Sequence, residues 1–157
     1  MNKVIKKYFY QTPVGKLYIS EKDEKICRVS FSDDILADVC KTDLIEETYK
    51  QISQYFLGNR KNFDIPIILE GTKFQKKVWK ALLTICYGQT VSYKDLAEMI
   101  DSPRAYRAVG NANNKNKIMI IVPCHRVVGS KGDLTGYSGG LDLKKFLLDL
   151  EKNNLWK

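Results

Sequence analysis

The chain has 157 residues, 44% of them hydrophobic and 11% aromatic, and its 26 Lys and Arg against 18 Asp and Glu leave a formal charge of +8. That apolar content supports a sizeable core and excludes a disordered chain, and the length fits one domain or two small ones. No apolar run approaches the ~20 residues of a membrane span, and MNKVIKK leads into no long apolar stretch, so the expected location is the cytoplasm, with no leader and no membrane partner.

Residues 4–10 are rich in β-formers, Thr12-Pro13-Val14-Gly15 reads as a turn, and 16–20 alternate Leu17 and Ile19 with polar neighbours. A charged turn at 21–25 and a strand at 26–31, with Cys27, Val29 and Phe31 on one face, complete an expected antiparallel meander. Residues 42–57 read as a helix, with Leu44/Ile45, Thr48/Tyr49, Ile52 and Tyr55/Phe56 at helical spacing, and Gly58 stands where a stop belongs. Residues 59–70 form a connection with an apolar patch, Ile65-Pro66-Ile67-Ile68-Leu69. A boundary near Gly71 divides the chain into an N-terminal domain, 1–70, and a C-terminal domain, 71–157. The charge divides there too: residues 1–70 hold 11 basic and 11 acidic side chains, and 71–157 hold 15 and 7. On composition alone, this excess suits either a polyanion partner or a lysine-rich surface.

The second part reads as helical. Thr72 caps a helix over 73–85 with Phe74, Val78, Ala81, Leu82 and Ile85 inward, and Tyr87-Gly88-Gln89 ends it. Ser92 caps a short helix to Ile100 that buries Leu96, Ala97 and Ile100. Asp101-Ser102-Pro103 makes a tight turn into a helix over 104–113, which exposes Arg104 and Arg107 and carries Ala105, Ala108, Val109 and Ala112. Two short helices joined this way suggest a helix-turn-helix, although most helical hairpins do not bind DNA. Residues 111–117 read as a loop, 118–122 as a buried extended segment, and 129–140, with five glycines, as a shaped loop. Residues 141–150 form an amphipathic helix with Leu143, Phe146, Leu147 and Leu150 inward, and Glu151 follows one turn past Leu147.

Cys27, Cys40, Cys86 and Cys124 form no CxxC pair, and His125 is the sole histidine, so a zinc site is hard to build. The first three cysteines read as small hydrophobes. Cys124 differs, because His125 and Arg126 follow it at the end of a buried segment. Positive neighbours favour thiolate, and a base within reach, directly or through water, removes the proton. Adjacent residues on an extended chain point apart, so His125 serves Cys124 only if the backbone turns there; Pro123 and the glycine-rich loop make room for that. Glu151 is a candidate to orient His125, or else a solvated helix end. These residues alone also fit a cysteine hydrolase built from Cys124, His125 and Glu151.

Ile121-Val122-Pro123-Cys124-His125-Arg126-Val127-Val128 resembles the active-site signature of the O6-alkylguanine-DNA alkyltransferases. Phe74-Gln75, Val78-Trp79, Gly88-Gln89-Thr90-Val91-Ser92-Tyr93, Arg107-Ala108-Val109-Gly110, Asn116, Gly136-Tyr137-Ser138-Gly139-Gly140 and Glu151 fall at family spacing. The likeness covers about residues 72–152 strongly and the N-terminal part weakly, mainly through Thr12-Pro13-Val14-Gly15. It implies an α+β protein: a small N-terminal ribonuclease H-like α/β domain with antiparallel strands, then a helical domain with a helix-turn-helix of winged-helix type. It implies DNA repair by a single irreversible transfer of an alkyl group from O6-alkylguanine, and less well O4-alkylthymine, to Cys124. His125, through water, takes the thiol proton and Glu151 orients His125. Tyr93 donates to the leaving base, and Asn116 ties its loop to the active-site segment. Backbone carbonyls of Cys124 and Val127 accept from the base amine, the Ser138 amide donates to O6, Tyr137 walls the pocket and Asn113 borders it. Arg107 fills the stack after the base flips, on a helix entering the minor groove, where small Ala108, Gly110 and Ala112 permit close approach; Arg104 and Ser92 complete the DNA-binding set. The partner is double-stranded DNA carrying alkylated guanine, bound by a monomer, with cooperativity on DNA left open. No cofactor or metal is called for.

Two positions depart from the family: Lys117 and Cys86 stand where Pro is usual. Both bear on loop rigidity. Family-like proteins that bind lesions without repair lack the cysteine, so Cys124 argues against a binder that only marks alkylated DNA.

Overall fold

A computed structural model describes residues 4–34 and 38–156. The chain divides into two compact units, one of Met1–Leu69 with Lys117–Met119, the other of Glu70–Asn116 with Ile120–Lys157.

In the first unit β1 (Lys6–Thr12), β2 (Gly15–Lys22) and β3 (Lys25–Phe31) form an antiparallel sheet in that order. The β1–β2 turn is fastened by Thr12, whose Oγ1 accepts from the Val14 amide at 3.2 Å and donates to the Gly15 carbonyl at 2.7 Å. In the second turn Asp23 and Glu24 are both left-handed (φ 54° and 62°), the twist a two-residue hairpin needs. The register shifts between Ser20 and Glu21, and Cys27 is the extra residue. That bulge buries Ile26 as well as Cys27, where simple alternation puts only Cys27 inward.

Helix α1 (Asp43–Phe56) starts at Thr42, whose side chain accepts from the Ile45 amide, and stops before a left-handed Gly58. It packs Ile45, Ile52 and Tyr55 toward the sheet face bearing Leu17, Ile19 and Val29. Two segments extend β3 in parallel. Ile26 donates to Pro66 at 2.8 Å and accepts from Ile68 at 3.0 Å, while Val29 donates to Lys117 and accepts from Met119, both at 2.9 Å. Residues 117–119 thus sit in the first unit although 71–116 do not.

In the second unit α2 (Lys73–Leu82) opens with a capping box between Thr72 and Gln75. It ends short of the 85 expected, yet Ile85 remains buried. Its inner face includes Trp79, whose indole donates to the Ala112 carbonyl at 2.9 Å. A short strand β4 (Val91–Ser92) leads into α3 (Tyr93–Met99), capped by Ser92 and Asp95, with Leu96, Ala97 and Ile100 buried as expected. Helix α4 (Tyr106–Asn114) begins later than position 104: Pro103 and Arg104 belong to a turn closed by Ala105 donating to Ser102 at 2.9 Å. It also continues through Asn111–Asn114, where composition suggests a loop. The asparagine run stays helical because Ala112 and Asn113 face inward, where Asn113 finds a carbonyl partner.

β5 (Val127–Val128) pairs in parallel with β4. Helix α5 (Leu141–Asn153) runs past Leu150. Its buried face is Leu143, Lys144, Leu147 and Glu151, a stripe that turns Phe146, expected inside, outward to 39% exposure. The assembly is α+β. No helix among the described residues is long and apolar enough to cross a membrane.

Candidate active site

The approach to Cys124 is bent. Residues 118–122 are buried as expected, but only Ile118 pairs as a strand, and turns follow it. Ile120 has φ 72°, a conformation β-branched side chains avoid, which costs about 1–3 kcal/mol and persists only where the surroundings enforce it. Pro123 then leads into a single 3₁₀ turn over Cys124–Arg126, with the Arg126 amide donating to the Pro123 carbonyl at 3.0 Å. The backbone therefore does turn between Cys124 and His125.

Asn116 reaches Cys124 from the end of α4. Its Nδ2 donates to the Val122 carbonyl at 2.8 Å and to Cys124 Sγ at 3.1 Å. The thiol is buried, and burial pushes its pKa up to about 11 against the pull of Asn116 and the Lys144 ammonium. This corrects the expectation that adjacent charge lowers it: Arg126 is turned to another partner, and desolvation outweighs the cations.

That partner is Glu151, 1% exposed at the inner face of α5. Its carboxylate accepts from His125 Nε2 at 2.6 Å, from Arg126 Nε at 2.8 Å and Nη2 at 3.1 Å, and from the Gly88 amide at 3.0 Å. Burial raises its pKa, but the hydrogen bonds from His125 and Arg126 and the fixed charge of Arg126 outweigh it and hold Glu151 at about 2. An ionised Glu151 accepts only, so His125 Nε2 carries the proton and Nδ1 is the basic nitrogen. Burial lowers the His125 pKa, with Arg126 and Lys144 helping, so the ring is neutral near pH 7. The carboxylate–guanidinium pair is electrically balanced, and Arg126 also donates to the Ile85 carbonyl at 2.6 Å.

Lys144 is fully buried. Its ammonium donates to the Val127 carbonyl at 2.6 Å and the Thr135 carbonyl at 2.8 Å. Thr135 O also accepts from the Tyr93 hydroxyl at 2.9 Å, so one lysine links the active-site turn, the glycine-rich loop and Tyr93. Asn113 Nδ2 donates to the Cys124 carbonyl at 3.3 Å, and Asn113 Oδ1 and the Tyr137 hydroxyl are buried without a hydrogen-bond partner among the described residues. Ser138 beside Tyr137 is exposed.

The residues of the expected DNA surface separate. Arg104, Arg107 and Ala108 are exposed, Arg104 on the turn before α4 rather than on the helix. Gly110 is half-buried, and a Cβ there would lie 3.5 Å from the Tyr93 ring. Ser92 spends its side chain capping α3. Ala112 does not face outward: it is 3% exposed, and its carbonyl takes the Trp79 indole, so its small size serves helix packing. Arg126's pairing, Lys144 and the bond from Trp79 to Ala112 escaped sequence reasoning. For Lys144 a signal existed, since Lys144, Leu147 and Glu151 lie at helical spacing on one stripe.

Comparison with known proteins fits this geometry. Residues 73–153 match the model of the 6-O-methylguanine DNA methyltransferase DNA binding domain, and 5–69 match its ribonuclease-like domain. The chain belongs to the 6-O-methylguanine DNA methyltransferase family. It is 47% identical over 151 residues to the methylated-DNA–protein-cysteine methyltransferase of Methanosarcina barkeri, covering 92% of this chain and 96% of that one. The constitutive enzyme of that name from Bacillus subtilis is 42% identical over 152 residues, covering 90% and 92%. The crystal structure of Mycobacterium tuberculosis OGT in complex with DNA superposes with a TM-score of 0.88 at 41% identity, covering 94% of this chain and 93% of that one. Within this methyltransferase family frame, the PCHRV turn, Asn116 and Glu151 are one connected cluster.

Proposed function

We propose that this protein repairs DNA by moving the alkyl group of O6-alkylguanine, and less well O4-alkylthymine, onto its own Cys124. The observation that carries this reading is a buried thiol, held by Asn116, on the same turn as a neutral His125 whose far nitrogen is bound to Glu151. Such a thiol is inert as a bulk nucleophile, so it needs a substrate brought to it and a base to ionise it.

The step balances as follows. His125 Nδ1, through a water, takes the Cys124 proton, and Glu151 stabilises the imidazolium. Sulfur attacks the alkyl carbon as the carbon–O6 bond breaks, and that electron pair goes to the guanine. Tyr93 exchanges its hydrogen bond to Thr135 for one to the base and supplies a proton, and the proton held by His125 is then returned to Tyr93 through water, so the thiol proton is in net terms the one guanine retains. Carbonyls of Cys124 and Val127 hold the base amine; Val127 O already accepts from Lys144, and Cys124 O accepts from the Val127 amide and from Asn113 Nδ2, the long 3.3 Å contact that the base amine would replace. The Ser138 amide holds O6 and Tyr137 walls the pocket beside Asn113. The product is a thioether with no activated leaving group, so each molecule reacts once.

The base reaches the thiol by flipping from duplex DNA. The exposed Arg107 fills its place, with Arg104 and Ala108 against the backbone and Gly110 allowing approach in the minor groove. The charge of 71–157 supplies salt-sensitive holding on undamaged duplex by a monomer in the cytoplasm. The test is a single-turnover assay with duplex DNA carrying labelled O6-methylguanine. Transfer should stop at one methyl per protein, and repeated turnover would instead fit a hydrolase-like cycle.

A further inference from the structure

Residues 1–70 carry no net charge, yet Lys7, Lys16 and Arg28 gather on one face of the sheet. Strand register sets Lys7 opposite Ser20 and Ser20 opposite Arg28, then Phe9 opposite Tyr18 and Tyr18 opposite Ser30. Directly paired residues share a face, so Lys7, Ser20 and Arg28 form one row across all three strands. Lys16 joins them, its ammonium 5.2 Å from the Phe9 ring. The opposite sheet face carries Leu17 and Ile19 toward α1, and the acidic Asp43, Glu46 and Glu47 lie on that helix.

On the cationic face is a cavity of about 150 Å³ lined by Lys7, Tyr18, Ser20 and Arg28, with Asp34 also on its wall. Tyr18 is 5% exposed, and its hydroxyl has no hydrogen-bond partner among the described residues. Buried hydroxyls are nearly always paired, and a phenol stays protonated near pH 7, so a donor is waiting here for an acceptor. Arg28 commits Nε to Ser30 Oγ at 3.1 Å, which leaves its two terminal nitrogens for another acceptor. Lys7 and Arg28 stand against Asp34 on the wall and Asp33 near Tyr18, so an anion here is held by directed donors rather than by an excess of charge.

We propose that this cavity binds a phosphate-class oxyanion through Arg28, Lys7, Tyr18 and Ser20. The hydroxyls and the guanidinium supply several donors around one point, which suits a multi-oxygen anion. The same chemistry has two sources, a phosphodiester of nucleic acid or free inorganic phosphate. Neither residue chosen for substitution belongs to the alkyl-transfer site.

The test titrates the full chain with inorganic phosphate against chloride at equal ionic strength, following the amide resonances of Ser20 and Ser30 and the thermal midpoint. The expected result is a saturable shift at millimolar phosphate, weakened about tenfold or more in Arg28→Gln and in Tyr18→Phe. Because Arg28 is exposed, Arg28→Gln keeps the fold and gives the deciding comparison. A response equal to that of chloride, or one unchanged in both variants, overturns the proposal. A second arm measures undamaged duplex binding against salt. A slope lowered by roughly 0.9 in Arg28→Gln assigns the site to a DNA phosphate, and an unchanged slope beside a retained phosphate response assigns it to the free anion.

Discussion

Replacing Glu151 with Gln tests the buried cluster most severely. The carboxylate accepts four hydrogen bonds, from His125, twice from Arg126 and from Gly88, and among the described residues it is the only acid paired with Arg126. Glutamine keeps the shape but removes the charge and presents an NH₂ group to donors. Breaking a buried pair from one side costs about 3–5 kcal/mol, a large part of the ~5–15 kcal/mol total of an ordinary protein. At roughly 2–4 °C per kcal/mol for a chain of this size, the midpoint should fall by roughly 6–20 °C. Urea and thermal unfolding, followed by the fluorescence of Trp79 and Trp156, would measure it. Adding Arg126→Met to Glu151→Gln should restore part of the loss, because the stranded guanidinium goes with it. Acid gives a second view. Glu151 is held at about 2, below its ordinary 4.5, so its stabilisation is present above pH 4.5 and is lost as pH falls from there toward 2. The Gln variant should lack that acid-sensitive component. A loss under about 0.5 kcal/mol, or strictly additive single effects, would refute the reasoning.

Three further outcomes are expected. With Cys124 held at about 11, its carbamidomethylation in the DNA-free protein, located by peptide mapping, should climb about tenfold per pH unit above neutrality and flatten only near 11; a plateau near 8.5 contradicts this. Trp79→Phe removes the bond to Ala112 and should cost about 1–3 kcal/mol in unfolding experiments while the transfer rate stays within twofold. Arg107→Ala, at an exposed position, should leave stability within about 0.5 kcal/mol but slow transfer from matched duplex about tenfold to a hundredfold; a smaller effect is expected where the lesion is mispaired and flips easily, and equal slowing on both substrates counts against the finger role.

The parts of the molecule legible in the sequence are those set by local chemistry. Thr72 and Ser92 each cap the helix their identity announces, and Thr42, counted within its helix, is the cap of α1. The meander follows from alternation and turn residues. The cysteine's setting at a backbone turn follows from Pro123 and the need to bring adjacent residues together. What was not legible depends on partners distant in sequence. Ile67 and Ile118 each contribute a single bridge to β3, too little to leave a period. The asparagine run looks like a loop until Asn113 and Asn116 are seen bound to Cys124 and its neighbours. Ala112 looks like a residue for close DNA approach but is claimed by Trp79, 33 positions away. The ionic logic was hidden most deeply. Arg126 neighbours Cys124 in sequence, yet it neutralises Glu151, and the cation acting on the thiol is Lys144 from another helix.

The most direct test of the whole account is the intact mass and peptide map of the protein after incubation with duplex DNA containing O6-methylguanine. A single methylene increment confined to the peptide bearing Cys124, with guanine restored in the DNA in equal amount, is the predicted result. An unchanged mass beside repaired DNA, or an increment on Cys27, Cys40 or Cys86 instead, would contradict it.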